Sequence, residues 1–164
     1  MNVLHHTFKF RTAGEWQDVS TIELFKDKKV VLFGLPGAFT PTCSSKQLPG
    51  YEESYNKFKE LGIDEVYCIS VNDAFVMNAW ADAQGIEKVK MIPDGCGTFT
   101  RSLGMLVNKP QQGFGLRSWR YSAIIDNEII TYLAEEPGIN NFSNDSDPYI
   151  ESTPEKIISY LEKE

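Results

Sequence analysis

Cysteine is scarce. Only 3 of the 164 residues are cysteine, and the count is odd. That excludes a secreted scaffold stapled by disulfides and leaves scattered thiols, which in a reducing compartment serve either packing or chemistry. Positive charge is in deficit: 16 lysines and arginines face 23 aspartates and glutamates, for a net charge of −7. Such a surface speaks against nucleic acid and anionic membrane as main partners. No apolar run approaches the roughly 20 residues of a membrane-spanning helix. The opening Met1-Asn2-Val3-Leu4-His5-His6 has neither a basic nor an apolar stretch, so no signal peptide is read and the cytoplasm is the expected compartment. The sequons at Asn141 and Asn144 therefore carry no weight. Histidine is rarer still. His5 and His6 have no acidic or cysteine partner at ligand spacing, and they read as a solvated terminus; no metal and no cofactor are expected.

What remains is ordinary globular material. The chain is 41% hydrophobic and 24% charged, without repeats or low-complexity linkers. One domain over residues 1–164 is expected. Thr7–Arg11 alternates, Ala13-Gly14 turns, and Glu15–Val19 returns, which predicts an N-terminal hairpin. Ser20 can cap a short helix through Phe25. Lys29–Leu35 is a continuous apolar run, the mark of a central strand covered on both faces. Ser44–Leu61 reads as helix, kinked at Pro49-Gly50. Glu65–Val71 is a second buried strand, followed by a helix Ala74–Gln84 capped by Asn72-Asp73 and ended by Gly85. Lys88–Ile92 is a third strand and Thr98–Leu103 a short helix. Trp119–Ile125 and Glu128–Leu133 flank the turn residues Asp126-Asn127. Asn140–Pro148 reads as a flexible surface loop. Thr153 and Pro154 open a last helix with Ile157, Ile158 and Leu161 on its apolar face. Strands alternating with helices predict an α/β fold, a mixed central sheet with helices on both faces. The loop after the first central strand is where such folds place a site.

That loop holds Pro36-Gly37-Ala38-Phe39-Thr40-Pro41-Thr42-Cys43. Cys43 stands where a strand gives way to a helix, facing unpaired amides and the positive end of the helix dipole. Both favour thiolate, the reactive form. The Thr40 hydroxyl, three residues earlier, can reach the sulfur or a bound oxygen. By position alone, a buried helix-start cysteine beside a turn-forming threonine is an equal reading.

The pattern P-x-x-x-T-x-x-C of Pro36, Thr40 and Cys43 resembles the active-site signature of peroxiredoxins. The longer PGAFTPTCSSKQLPGYEE is similar to the atypical type II members, the peroxiredoxin-5 group, and most to the peroxidase part of bacterial peroxiredoxin–glutaredoxin fusions. Val71-Asn72-Asp73, Phe75–Trp80, Ile92–Gly95 and Gly115 through Arg120-Tyr121 extend the resemblance over about Lys29 to Leu133.

The resemblance implies a thioredoxin-like fold and a thiol-dependent peroxidase acting on hydrogen peroxide and alkyl hydroperoxides. It makes Cys43 the peroxidatic nucleophile, oxidised to a sulfenic acid. Thr40 and Arg120 become its catalytic companions, with Pro36, Thr42 and Cys43 around the peroxide and the amides of Thr42 and Cys43 as donors. Arg117 competes with Arg120. If Trp119–Ile125 is one strand, the two point to opposite faces, and only one reaches the pocket.

Glu136 to Ser152, where many type II enzymes carry a resolving cysteine, contains none. Cys68, within a strand, is a weak candidate for that role and reads first as a small buried hydrophobe. Cys96, in a glycine-flanked loop, reads as an accessible bystander. The resemblance thus implies a one-cysteine cycle, with glutathione and glutaredoxin as reductant and thioredoxin as the alternative, and a homodimer. Phe39, Phe75, Trp80, Phe114 and Trp119 would border the pocket. A disulfide reductase needs a C-x-x-C that Cys43-Ser44-Ser45-Lys46 does not supply. A peroxide sensor acting through oxidised Cys43 stays open.

Overall fold

The computed structural model describes residues 1–164. Strands β1 (Thr7–Thr12) and β2 (Glu15–Ser20) form the N-terminal hairpin, turned by Ala13 and Gly14, both at positive φ. Helix α1 (Thr21–Phe25) follows directly. Ser20 and Glu23 cap it reciprocally, each side chain taking the other's amide.

The apolar run Lys29–Leu35 is β3, the middle of a five-stranded sheet ordered β5-β4-β3-β8-β9. It pairs in parallel with β4 (Glu65–Ser70) and antiparallel with β8 (Tyr121–Asp126). β5 (Lys90–Pro93) extends the parallel half, and β9 (Ile129–Glu135) closes the antiparallel one. The strand alternates between two cores. Val30 and Leu32 pack with α1 and α5 (Thr98–Ser102), through Phe25 and Phe99. Val31, Phe33 and Leu35 pack on the other face with Tyr51, Phe58 and Ile157. Those three belong to α2 (Leu48–Glu53), α3 (Tyr55–Glu60) and α6 (Pro154–Glu162). A thioredoxin-like fold, a mixed sheet with helices on both faces, is what both cores require. Gly34 is glycine for a reason of space: a Cβ there would lie 2.2 Å from the Tyr121 ring.

Four local expectations need correction. The helix after Cys43 does not start as an α-helix. Residues Cys43–Gln47 form a π turn, with the Leu48 amide donating to the Cys43 carbonyl. Pro49 has no N–H to offer the Ser45 carbonyl, so an unbroken α ladder cannot pass this point. Besides the break that Pro49 imposes, a second interruption falls at Ser54, between Leu48–Glu53 and Tyr55–Glu60. Only Asp73 caps α4 (Ala74–Ala83); Asn72 is used elsewhere. The turn between β8 and β9 sits one residue later than read, at Asn127 and Glu128, both at positive φ. The strand read as Trp119–Ile125 begins at Tyr121. Before it comes an unforeseen hairpin of β6 (Leu106–Lys109) and β7 (Gly115–Ser118), and Trp119-Arg120 form the step between the two sheets.

Candidate active site

Leu35 ends β3 at the carboxyl edge of the parallel half of the sheet, and the Pro36–Thr42 loop lies across that edge. Two side chains hold the loop from outside. Asn72, freed from capping, accepts the Ala38 amide at 3.0 Å and the Ser70 hydroxyl at 2.6 Å. Arg117 donates from Nη1 to the Pro36 carbonyl at 3.0 Å. Inside the loop the Thr40 hydroxyl donates to the Gly37 carbonyl at 2.7 Å. Its proton is thereby spent, and its lone pairs are left to accept.

The chain turns into the π turn at Cys43, which is fully buried. The Ser44 amide donates to the Thr40 carbonyl at 3.0 Å, while the amides of Thr42 and Cys43 take no acceptor within the chain. They are donors in reserve. Ser44 is fixed in turn by the indole N–H of Trp80, 3.0 Å from its hydroxyl.

Arg120, in the step just before β8 and so beside the end of β3, reaches the sulfur. Its Nη1 lies 3.3 Å from Cys43 Sγ and also donates to Gln47 Oε1; its Nη2 donates to Asp147 Oδ1. Gln47 is buried and anchored by its own Nε2, 3.3 Å from the Gly34 carbonyl. Arg120 Nε is buried without a partner, so one guanidinium donor is unspent. Burial works against the charge of Arg120, but the Cys43 sulfur and Asp147 outweigh it and its pKa is raised. For Arg117 the balance goes the other way: burial lowers it, and Cys43 compensates only in part.

Of the two arginines only Arg120 lines the pocket, but the alternation expected to separate them does not hold. It assumed an unbroken strand, which the step at Trp119-Arg120 interrupts. Arg117 grips the loop backbone; Arg120 contacts the sulfur.

A small pocket of about 140 Å³ opens in front of this group, lined by Pro36, Thr40, Pro41, Phe114, Lys109, Gln112, Arg120 and Asp147. Arg120 is common to the pocket wall and the sulfur's hydrogen bonds. Of the aromatics expected around it, Phe114 lines it. Trp80 and Trp119 are core residues, and Phe39 and Phe75 stand exposed, each 56% accessible.

Sequence reasoning did not find Gln47, Lys109, Glu136 or Asp147. The stretch Asn140–Pro148, read as flexible, is folded against the site. Glu136, buried, gathers the amides of Ile150, Glu151 and Ser152 and the Ser152 hydroxyl on one carboxylate, at 2.6–3.1 Å. This closes the segment at its base. Asn140 Oδ1 accepts the amides of Phe142 and Asn144, both at 3.0 Å. Asp145 pairs with Lys109 at 3.3 Å, both side chains almost fully buried. Polar residues were read as solvent-facing, but here they satisfy one another. The signal present was the density of Asn, Asp and Ser, which can hydrogen-bond nearby backbone as readily as water.

The other two cysteines lie elsewhere. Cys68 is buried in β4, and burial, with a smaller contribution from Cys43, pushes its thiol well up, so it stays neutral. Cys96 is exposed on a separate cleft of about 700 Å³, alongside His6, Trp16 and Asp94. All three thiols are free, and no cluster of His, Cys, Asp and Glu is arranged for a metal ion.

Comparison with known proteins gives consistent relatives. Residues 5–148 match the family model described as Redoxin. A peroxiredoxin of Rhizobium etli is 54% identical over 146 residues, spanning 89% of this chain and 81% of that protein. The hybrid peroxiredoxin hyPrx5 of Haemophilus influenzae is 46% identical over 155 residues, spanning 94% of this chain but 62% of that one. Among solved structures, the Plasmodium falciparum antioxidant protein, described as a 1-Cys peroxiredoxin, superposes with a TM-score of 0.94 at 37% identity, covering 100% of this chain and 98% of that one. Reduced Prx3 of Vibrio vulnificus in complex with hydrogen peroxide gives 0.88 at 39% identity, covering 98% and 96%.

Proposed function

This chain belongs to the peroxiredoxins, as an atypical type II member and a thiol-dependent peroxidase, and from that premise we propose how it works. The substrates are hydrogen peroxide and alkyl hydroperoxides, and Cys43 is the peroxidatic residue. The observation that carries this is the Arg120 guanidinium, which at once donates to Cys43 Sγ at 3.3 Å and walls a small pocket of about 140 Å³.

The cycle starts with Cys43 as thiolate, favoured by the fixed charge of Arg120. The peroxide enters between Pro36, Thr40 and Arg120. Thr40 Oγ1 accepts the hydrogen of the oxygen to be attacked, because its own proton is engaged by Gly37. The sulfur lone pair forms an S–O bond, the O–O bond breaks, and the electron pair departs on the distal oxygen. Reserve donors stabilise that charge: the amides of Thr42 and Cys43 and the unspent Nε of Arg120. The leaving oxygen takes a proton and departs as water or an alcohol, leaving Cys43 as sulfenic acid.

Reduction comes from outside the chain. The Glu136–Ser152 segment offers no thiol, Cys68 is buried and neutral, and Cys96 opens on another cleft. Glutathione attacks the sulfenic sulfur, releases water and leaves a mixed disulfide at Cys43. Glutaredoxin exchanges that disulfide and restores the thiol. The likeness to a protein described as a 1-Cys peroxiredoxin supports this route. Thioredoxin is the alternative reductant. The unit acts as one thioredoxin-fold domain, in the cytoplasm, and as a homodimer. Phe39 in the active-site loop and Phe75 at the start of α4 are exposed apolar surface that a second copy would cover.

The deciding experiment is NADPH-coupled consumption of hydrogen peroxide with glutathione, glutathione reductase and glutaredoxin, beside a lane without glutaredoxin. Many turnovers that need glutaredoxin support the one-cysteine cycle. Turnover with thioredoxin alone replaces the reductant, and no turnover with either rejects the enzyme in favour of a sensor.

A further inference from the structure

We propose that Asp147 is a positioning residue for Arg120, delivered to the site by the folded Glu136–Ser152 segment. The inference rests on the reading of Cys43 as peroxidatic and goes beyond it.

Arg120 needs orientation as much as charge. Its side chain is long and rotamer-rich, and only one direction of Nη1 serves the sulfur. The guanidinium is therefore held on both flanks of the thiol contact. Gln47 accepts from Nη1 on one side, and Asp147 accepts from Nη2 on the other. Remove Asp147, and Nη2 has no acceptor left in the chain. Gln47 and the sulfur then hold only one nitrogen, Nη1, about which the planar fork can turn over the Tyr149 ring, 5.8 Å away.

The rest of the segment keeps Asp147 in place. Its amide donates to Asp145 Oδ1 at 2.8 Å, and Asp145 Oδ2 meets the Lys109 ammonium at 3.3 Å. Asp147 has φ +52°, a left-handed backbone that aspartate adopts more readily than most residues. At the base, Glu136 binds residues 150–152, and its amide donates to the Arg120 carbonyl at 3.0 Å. Backbone and side chain of Arg120 are thus gripped by the two ends of one segment. The exposure of the pair is telling. The Arg120 side chain is 3% accessible and that of Asp147 45%, so the carboxylate stays hydrated and cancels little of the charge that the thiolate needs.

The test uses Asp147→Ala, Asp147→Asn and Arg120→Met in the full chain, singly and combined. Two readouts are taken: single-turnover oxidation of Cys43 by hydrogen peroxide, and the pH dependence of Cys43 alkylation by iodoacetamide. Asp147→Ala is expected to slow oxidation roughly tenfold to a hundredfold, as for a misplaced catalytic group. The pH at which alkylation switches on is expected to rise. Asp147→Asn, which keeps an oxygen acceptor in place, should recover most of the rate. In the Arg120→Met background Asp147→Ala should cost nothing further, since it acts through Arg120. Should the alanine variant misfold, Asp147→Ser, too short to span to Nη2, replaces it. The proposal is overturned if the alanine variant keeps its rate and alkylation profile, or if its loss persists undiminished without Arg120. If the wild-type chain consumes no peroxide, the peroxidase reading falls, and the alkylation profile alone still decides the role of Asp147.

Discussion

Arg120 Nη1 lies 3.3 Å from Cys43 Sγ, although 77 positions separate the two in the chain. The contact joins the π turn that follows β3 to the step that precedes β8, the two strands being neighbours in the sheet, and it sets a fixed charge beside a buried sulfur. Cys43→Ser should abolish peroxide turnover, because the hydroxyl that replaces the thiol has no accessible anion at neutral pH. Arg120→Ala should cost on the order of 10²–10³ in rate, the range for one preorganised donor. Arg120→Lys should recover little, since a point charge cannot meet Sγ, Gln47 and Asp147 together. Stopped-flow oxidation of Cys43 measures the two arginine variants, and peroxide consumption measures the serine one. Full turnover by Cys43→Ser would end the mechanism.

Thr40 makes a sharper distinction. Its hydroxyl donates to the Gly37 carbonyl at 2.7 Å, so toward the pocket it can only accept. Thr40→Ser keeps both bonds and should stay within about threefold of wild type. Thr40→Val removes the acceptor and strands the Gly37 carbonyl, with an expected loss of about 10²-fold in kcat/KM. Equal rates for the serine and valine variants would show that the hydroxyl does not touch the peroxide.

Cys68 offers a negative prediction. Burial holds its thiol well above the usual range, and it fills space between Phe33 and Met91 in the sheet. Cys68→Ala should therefore keep glutathione-dependent turnover and lose about 1–2 kcal/mol of stability through the small cavity. Urea unfolding and the coupled assay read the two sides. Loss of turnover without loss of stability would make Cys68 a resolving thiol.

The parts of this molecule that were legible in its sequence are those where one local rule suffices. Lys29–Leu35 is an unbroken apolar run and forms β3 with those bounds. Ser20, Asp73 and Thr153 cap helices by spacing alone. Cys43, Thr40 and Arg120 came from the resemblance, and the fold brings Cys43 and Arg120 together. The illegible parts depend on pairing between distant polar groups. Nothing in Asn140–Pro148 says that Asp145 will meet Lys109, 36 positions away, or that Asp147 will meet Arg120. The π turn at Cys43 was hidden too, because Pro49 announces a break in the ladder but not the direction in which it is absorbed. The β6–β7 hairpin is short and its strands lack clean alternation, so periodicity gave it no voice.

The Asp145–Lys109 pair predicts a pH dependence with a definite sign. Burial opposes ionisation of Asp145, but the amide of Asp147, the Lys109 ammonium and Asn140 outweigh it, and its carboxyl lies below the usual aspartate range. A group depressed in the folded state contributes stability above its unfolded value, about 3.9. That contribution is lost as the pH falls through the lower, folded value. Asp145→Asn removes it at every pH and leaves Lys109 buried beside a neutral amide, at a cost of about 3 kcal/mol at neutral pH. Urea unfolding of wild type and variant from neutral pH downward should therefore show a constant gap until about pH 4, then a narrowing one. The loss should appear locally first. Amides of residues 140–148 should exchange faster in Asp145→Asn while those of β3 keep their protection, because the pair ties the segment rather than the core. A gap unchanged between neutral and acid pH would mean that the ion pair contributes nothing, and that Glu136 alone closes the segment.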